Sequence, residues 1–357
     1  MTWRSMPWLP VAAACLLLAC PSAPSPGAAA VVSASSDPPA AAAAASNEWA
    51  PPRVIVTPGA GPNAAPSVAI EVPTPSFAAG TGPRVAIDAG HNNYRIRSNY
   101  AVFAEALTGD GFTVEFVDAP FNATVLASVD LLVIVNPLNA KNVGDWSLPT
   151  PSAFTPDEIA AVGDWVEAGG GLWVVADHMP FPGAAEALAA RVGFALNNGF
   201  GFREREPGQI EQSIIGFSRA DGTILAGHPI TDGARIEERL EQLQSFTGAT
   251  FETPDDATAL VVMPADAVTL MPEVAWEFSE HTQRRAAGGW ALAAVRELGR
   301  GRVAMFGEAA MLSARYVDHE GEWFGVGVQH PDARDNLQLV LNTARWIVDG
   351  PGSRAAG

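Results

Sequence analysis

Between residues 83 and 194, short apolar runs alternate with stretches of helical periodicity, and this alternation limits the fold more than any other feature of the chain. Arg84-Val85-Ala86-Ile87-Asp88 reads as a buried strand. Residues 98–109 set Tyr100, Phe103, Ala104 and Leu107 at helical spacing and stop at Gly109 and Gly111. Phe112–Val117 alternates as a strand, and Leu131–Val135 is the unbroken apolar run of a parallel strand covered on both faces. Thr155-Pro156-Asp157-Glu158 supplies a threonine cap, a first-turn proline and a glutamate three residues on, so a helix should start there and run to Gly169-Gly170-Gly171. Leu172–Ala176 and Gly183–Val192 add a strand and a helix. The order β-α-β-β-α-β-α predicts an α/β domain with a doubly wound, mostly parallel sheet.

Beyond Phe194 the pattern loosens. Strands are expected near Leu243–Phe246, Ala259–Met263, Trp290–Val295 and Arg302–Phe306, some pairing antiparallel as an extension of the sheet. Asn336–Val348 should close the domain as a helix. The domain is expected over 83–350, followed by a flexible tail at 351–357. Arg203 and Arg205 read as loop residues, and Glu237, Glu238 and Glu241 as the exposed side of a short helix.

Polar residues gather at the ends of the expected strands. Asp88, His91, Asn92 and Asn93 follow the first, Asn136 the third, Asp177 and His178 the fourth, and Glu308 follows Arg302–Phe306. In an open parallel sheet the carboxyl ends of the strands border the ligand crevice, so these side chains would build one polar site. Taken singly, each also suits helix capping or loop hydrogen bonding.

Four stretches carry a family resemblance. Asp88-Ala89-Gly90-His91-Asn92-Asn93, Ala176-Asp177-His178-Met179-Pro180-Phe181-Pro182-Gly183-Ala184, Phe306-Gly307-Glu308-Ala309-Ala310-Met311, and His330-Pro331-Asp332-Ala333 with Asn336 resemble an uncharacterised branch of the class I glutamine amidotransferase-like superfamily, related to gliding-motility auxiliary proteins. The resemblance covers about 83–349 and implies a flavodoxin-like three-layer fold, with His330 opening the closing-helix motif. It implies no particular reaction. Catalytic amidotransferases place a cysteine on the tight turn where this chain has Asp177 and His178, so glutaminase chemistry is not expected.

Three chemistries suit the remaining residues. Asp88, His91, Asp177 and His178 are ligand types that zinc or manganese accepts, with Glu308 as general base on a bound water. Metal-free acid–base work would use Asp177, His178 and Glu308 as the catalytic set. A non-catalytic module would hold a small polar ligand, a glycan or an envelope protein against Asp88, His91, Asn92, Asn93, Asn136 and His330. No tight metal-ligand spacing and no Gly-x-Ser-x-Gly turn favours the first option or a serine hydrolase.

The start of the chain places these chemistries in the cell. Arg4 precedes the apolar run Leu9–Ala19, which is too short for a stable membrane anchor. The run ends Leu17-Leu18-Ala19-Cys20, which resembles a bacterial lipobox, so residues 1–19 should be removed and Cys20 acylated. Pro21 in place of an aspartate favours the outer membrane. The alternative is an ordinary signal peptide cut near Ala19. Residues 20–82, rich in Ala, Pro, Ser and Gly, read as a disordered tether reaching roughly 40–50 Å, with stray edge strands at Val54-Ile55-Val56 and Val68-Ala69-Ile70 as the alternative.

Composition removes other options. The only cysteines are Cys15 and Cys20, so the folded part has no disulfide, thiolate site or cysteine nucleophile. A net charge of −18 opposes nucleic-acid binding, leaving acyl chains as the expected membrane attachment.

Overall fold

The computed structural model describes residues 49–61, 64–206, 209–319 and 322–349. Cys20, the leader and the tail at 351–357 lie outside the described residues. In chain order the elements are β1 (Arg53–Thr57), β2 (Ser67–Glu71), β3 (Arg84–Asp88), α1 (Ala101–Gly109), β4 (Thr113–Val117), β5 (Leu131–Val135), α2 (Pro156–Glu167), β6 (Gly171–Val175) and α3 (Phe181–Arg191). There follow β7 (Phe200–Glu206), β8 (Gln209–Gln212), β9 (Gly216–Ser218), β10 (Gln242–Gln244), β11 (Thr258–Val262), β12 (Ala267–Met271) and β13 (Gln283–Ala286). The last are β14 (Ala291–Leu298), β15 (Gly301–Phe306), β16 (Ala314–His319), β17 (Glu322–Gly327) and α4 (Asn336–Val348).

The central sheet has seven strands in the order β11-β14-β15-β6-β5-β3-β4. The five from β15 to β4 are parallel, and β14 and β11 add antiparallel at one edge. Within the parallel part the chain order is 2-1-3-4-5, the flavodoxin-like arrangement. The chain is therefore an α/β protein of that fold class, as its sequence predicts.

Side-chain alternation explains the unbroken apolar runs. Val85, Ile87, Leu131, Val133, Trp173 and Phe306 point to one face, where α1 and α4 supply Phe103, Leu107, Leu337 and Leu341. Ala86, Leu132, Ile134, Leu172, Val174 and Met305 point to the other, where α2 and α3 supply Val162, Val166, Leu188 and Ala189. Both faces are covered, so neither side of a strand is polar.

Two expectations change. The tether is not unstructured throughout: β1 and β2 form an antiparallel hairpin, and Val54, Val68, Ile70, Val72 and Phe77 pack against the core. Phe77 meets the edge of Phe112 with ring centroids 5.0 Å apart. From Phe194 on, β11 and β14 extend the central sheet antiparallel as expected and β15 joins it, but the other strands do not. Strands β13-β12-β7-β8 form a separate four-stranded sheet, and Gln242–Gln244 pairs with β9 rather than with the central sheet. Arg203 lies in β7 bonded to Asp266, and Glu238 is buried and paired with Arg345, so neither is the solvated residue that composition alone indicates. Among the described residues no helix is long and apolar enough to cross a membrane.

Candidate functional site at the strand carboxyl ends

The first polar cluster forms where β3 and β5 end, the point at which the strand order reverses. Asp88 is fully buried. Its Oδ1 accepts from the Gly90 N–H and from His91 Nδ1 at 2.8 Å, and its Oδ2 accepts from Asn93 Nδ2 at 2.9 Å. His91 Nε2 meets Glu158 Oε1 at 2.9 Å. With a carboxylate on each ring nitrogen, His91 is held as the cation. Burial works against that charge, but Asp88 and Glu158 outweigh it and raise the His91 pKa. The ring packs against both Phe121 and Phe154, with centroids 4.7 and 4.6 Å away. Glu158 also completes the capping box of α2 and accepts from the Phe121 N–H. Burial alone would raise the Glu158 pKa; bonds from Thr155, His91 and Phe121 bring it down to about 2. Asn92 is exposed and donates to the Leu138 carbonyl.

The second cluster joins β5, β6 and β15. Asn136 has a left-handed backbone, φ 45°, and its Oδ1 accepts from the Asp177 N–H at 2.9 Å. Asn136 Nδ2 reaches the Tyr100 hydroxyl at 3.5 Å. Asp177 follows β6 and Glu308 follows β15, its parallel neighbour, and both carboxyls are buried. Asp177 Oδ1 accepts from the His178 N–H, while Glu308 accepts from the Ala310 and Met311 N–H groups at 2.8 and 2.9 Å. Burial pushes the Asp177 pKa up to about 7, against bonds from His178 and Asn136 and the charge of Arg315. Burial and the neighbouring Asp177 raise Glu308 well above the usual carboxylate range. The two carboxyls titrate as one pair. Burial and the charge of Asp177 also raise Tyr100.

His178 stands apart from that pair chemically. Its Nδ1 donates to the Met179 carbonyl at 2.7 Å, which fixes the tautomer. The ring stacks on Phe200 at 4.6 Å, with Trp276, Phe181 and Trp146 around it. Burial lowers its pKa to about 3, so it is neutral. His330 is part-buried against Phe246 and Phe324, and its Nδ1 accepts from the Asp332 N–H. Neither histidine ring makes a described bond to Asp177 or Glu308.

The structure thus joins Asp177, Glu308 and Asn136, and separately Asp88, His91 and Asn93. The expected zinc or manganese site is not assembled. Among the described residues no three His, Cys, Asp or Glu side chains are grouped to hold a metal. The reason is local: both His91 nitrogens face carboxylates, and His178 lies in an aromatic box. Three participants escaped sequence reasoning. Glu158 carried a signal, but only as a capping residue. Tyr100 read as a core aromatic, and Arg315 carried none.

Backbone geometry marks the same rim. The described non-glycine residues with positive φ are Asn92, Arg95, Asn136, Thr247 and Trp276. Asparagine tolerates this region, but Thr247 at 86° and Trp276 at 71° are outliers. Thr247 precedes Gly248, where an added Cβ would come within 2.7 Å of the Glu308 Cβ, and Trp276 touches His178.

A scan of family models and a search of curated proteins return no match to this sequence. Solved structures similar to the chain include the mmIFT52 N-terminal domain, with a TM-score of 0.50 and 14% identity over 75% of this chain and 98% of that one. They also include ThuA-like proteins from Bacteroides uniformis (TM-score 0.42, 13% identity, covering 77% and 93%) and Parabacteroides merdae (TM-score 0.35, 11% identity, covering 74% and 89%). ThuA-like proteins belong to the class I glutamine amidotransferase-like superfamily. At such identities the likeness concerns the fold alone.

Proposed function

We propose that this chain is an acylated outer-membrane lipoprotein whose α/β domain binds a small polar ligand or glycan at the strand carboxyl ends and hydrolyses it by acid–base chemistry. The observation that carries this reading is the buried Asp177–Glu308 pair. Burial holds Asp177 at about 7 and raises Glu308 well above the usual carboxylate range, so the pair offers one group to give a proton and another to take one. In the hydrolysis, Asp177 removes a proton from water as its oxygen bonds to the electrophilic carbon. Glu308 protonates the leaving oxygen or nitrogen as that bond breaks. Asn136 positions the Asp177 backbone, and the left-handed residues around the rim support the same location, because backbone strain concentrates at working sites. His91 acts as a clamp on the Asp88 loop.

The finer kinship, with the branch related to gliding-motility auxiliary proteins, rests on the four strand-end motifs. A second reading, a non-catalytic protein-interaction module of the cell envelope, is favoured by one observation. Cavities of about 510 and 310 Å³ are lined elsewhere, and neither borders Asp177 or Glu308.

Two experiments test these readings. Full-length protein would be screened for hydrolysis of glycosides, esters and amides, alongside Asp177→Asn and Glu308→Gln. Turnover that falls roughly 100-fold or more in both variants supports the pair. Turnover that both variants retain removes the pair, and no turnover of any of these substrates by the wild type leaves the interaction module. Labelling of cells with an alkyne fatty acid tests the anchor: Cys20→Ser should abolish incorporation and release the protein from the membrane fraction.

A further inference from the structure

The hairpin ahead of the central sheet carries an open edge. β1 is bonded to β2 on one side, and β2 lies against α1. Among the described residues nothing pairs with the other side of β1, to which alternate residues turn their N–H and C=O groups. Folded proteins usually guard such an edge with a lysine, a bulge or a proline within the strand. β1 has none of these. Its register with β2 is unbroken, and its centre is Val54-Ile55-Val56. Ile55 is 45% exposed and Val56 43%. Pro52 and Pro58 flank the strand, so a ladder built on it can extend over these five residues and no further.

The register says what completes the edge. Val54 packs inward with Val68 and Ile70, so Val54 and Val56 share the inner face and Arg53, Ile55 and Thr57 the outer one. A partner strand must keep inner residues opposite inner ones, because a one-residue slip turns every side chain to the wrong face. A second β1, running antiparallel about a two-fold axis through Ile55, does this. Ile55 then faces the partner's Ile55, Val54 the partner's Val56, and Arg53 the partner's Thr57. Centring on Val54 or Val56 instead would set a valine against the partner's Pro52 or Pro58, so the Ile55 register pairs all five residues. The apolar rows of the hairpin, Ile55 with Ala69 and Val54 with Ile70, continue across the axis. At the ends, Arg53 keeps Glu71 at 3.3 Å and meets a neutral threonine. No like charges face each other there, although each copy carries a net charge of −18.

We propose that β1 is a dimerisation strand, pairing with β1 of a second copy of this chain in an antiparallel ladder centred on Ile55. The contact is isologous, so one pairing uses both open edges and stops there. The ladder is short, which predicts a weak, concentration-dependent dimer. It needs neither acylation of Cys20 nor chemistry at Asp177 and Glu308.

The test uses the full-length chain with Cys15→Ser and Cys20→Ser, which has no thiol. Sedimentation velocity over a rising concentration series should show a monomer–dimer equilibrium. Ile55→Lys and Ile55→Glu each set like charges across the axis and should weaken association roughly tenfold or more. An equimolar mixture of the two should restore it. Ile55 is exposed in the monomer, so neither change disturbs the core. Under mild oxidation, Ile55→Cys in the same chain should form a disulfide-linked dimer roughly tenfold faster than Thr57→Cys, whose two copies would sit about 14 Å apart. A monomer at every concentration overturns the proposal, whether the edge is covered by residues of the same chain or kept for a different protein. So does a dimer that Ile55→Lys leaves unchanged, a charge-swapped mixture that stays monomeric, or equal cross-linking at positions 55 and 57.

Discussion

A carboxyl group that keeps its proton to about pH 7 inside the core makes the protein less stable as the medium turns alkaline. Asp177 has an ordinary pKa of 3.8 and a folded value of about 7. Between roughly pH 4 and 7 the native state holds more protons than the unfolded chain, so stability falls with rising pH and levels off above that window. Asp177→Asn keeps the shape and removes the titration. Melting curves from pH 5 to 8 should show the variant gaining on the wild type by an amount on the order of a few kcal/mol at the alkaline end. His91 works in the same direction for the opposite reason. Its raised pKa adds stability that is complete below 6.5 and disappears as pH climbs through the folded value. Glu158, lowered from 4.5 to about 2, adds stability that is present above 4.5 and lost as pH falls toward 2. His91→Ala leaves Asp88 and Glu158 facing each other without a cation and should cost about 3–5 kcal/mol, read by urea denaturation at pH 6. The sequence identified Asp88, His91, Asp177 and Glu308 because each directly ends or follows a strand. It could not tell which of them pair. That depends on Glu158 reaching His91 from α2, a tertiary contact with no local signature.

Among the elements, α2 was the most legible. Its threonine, proline and glutamate appear in the structure as a complete capping box. Thr155→Ala removes the cap and the hydroxyl that donates to Glu158 Oε2, and should lower stability by about 1–2 kcal/mol in thermal melts. A further loss of stability at pH 6 would report loosening of Glu158 from His91. The strands of the central sheet were legible because burial on both faces leaves a continuous apolar word in the sequence. The second sheet was not. All four residues of Gln283–Ala286 are exposed, so β13 carries no hydrophobic pattern. β1 and β2 showed only as the short runs Val54–Val56 and Val68–Ile70, because each holds few apolar residues within Ala-, Pro- and Ser-rich surroundings, and their partner surface is supplied by α1 and the 72–77 segment.

For the whole molecule, topology settles where the chemistry can lie. Putting β3 beside both β4 and β5 opens the reversal point at which Asn93 bridges Asp88 and the Val135 carbonyl, and putting β15 beside β6 brings Glu308 to Asp177. The succession of elements up to β6, and with it a doubly wound parallel sheet, followed from the sequence. The place of β15 did not, because nothing local says which earlier strand a late one will join. That late arrival also sets a timetable. β6 and β15 are hydrogen-bonded neighbours, yet the entire stretch 176–300 separates them along the polypeptide. Until the last third of the chain has emerged, β6 has a bare edge and the Asp177 side of the sheet stays open. Such distant pairing is slow to form. A nascent chain with this layout lingers in a threadable state, which suits the export proposed above.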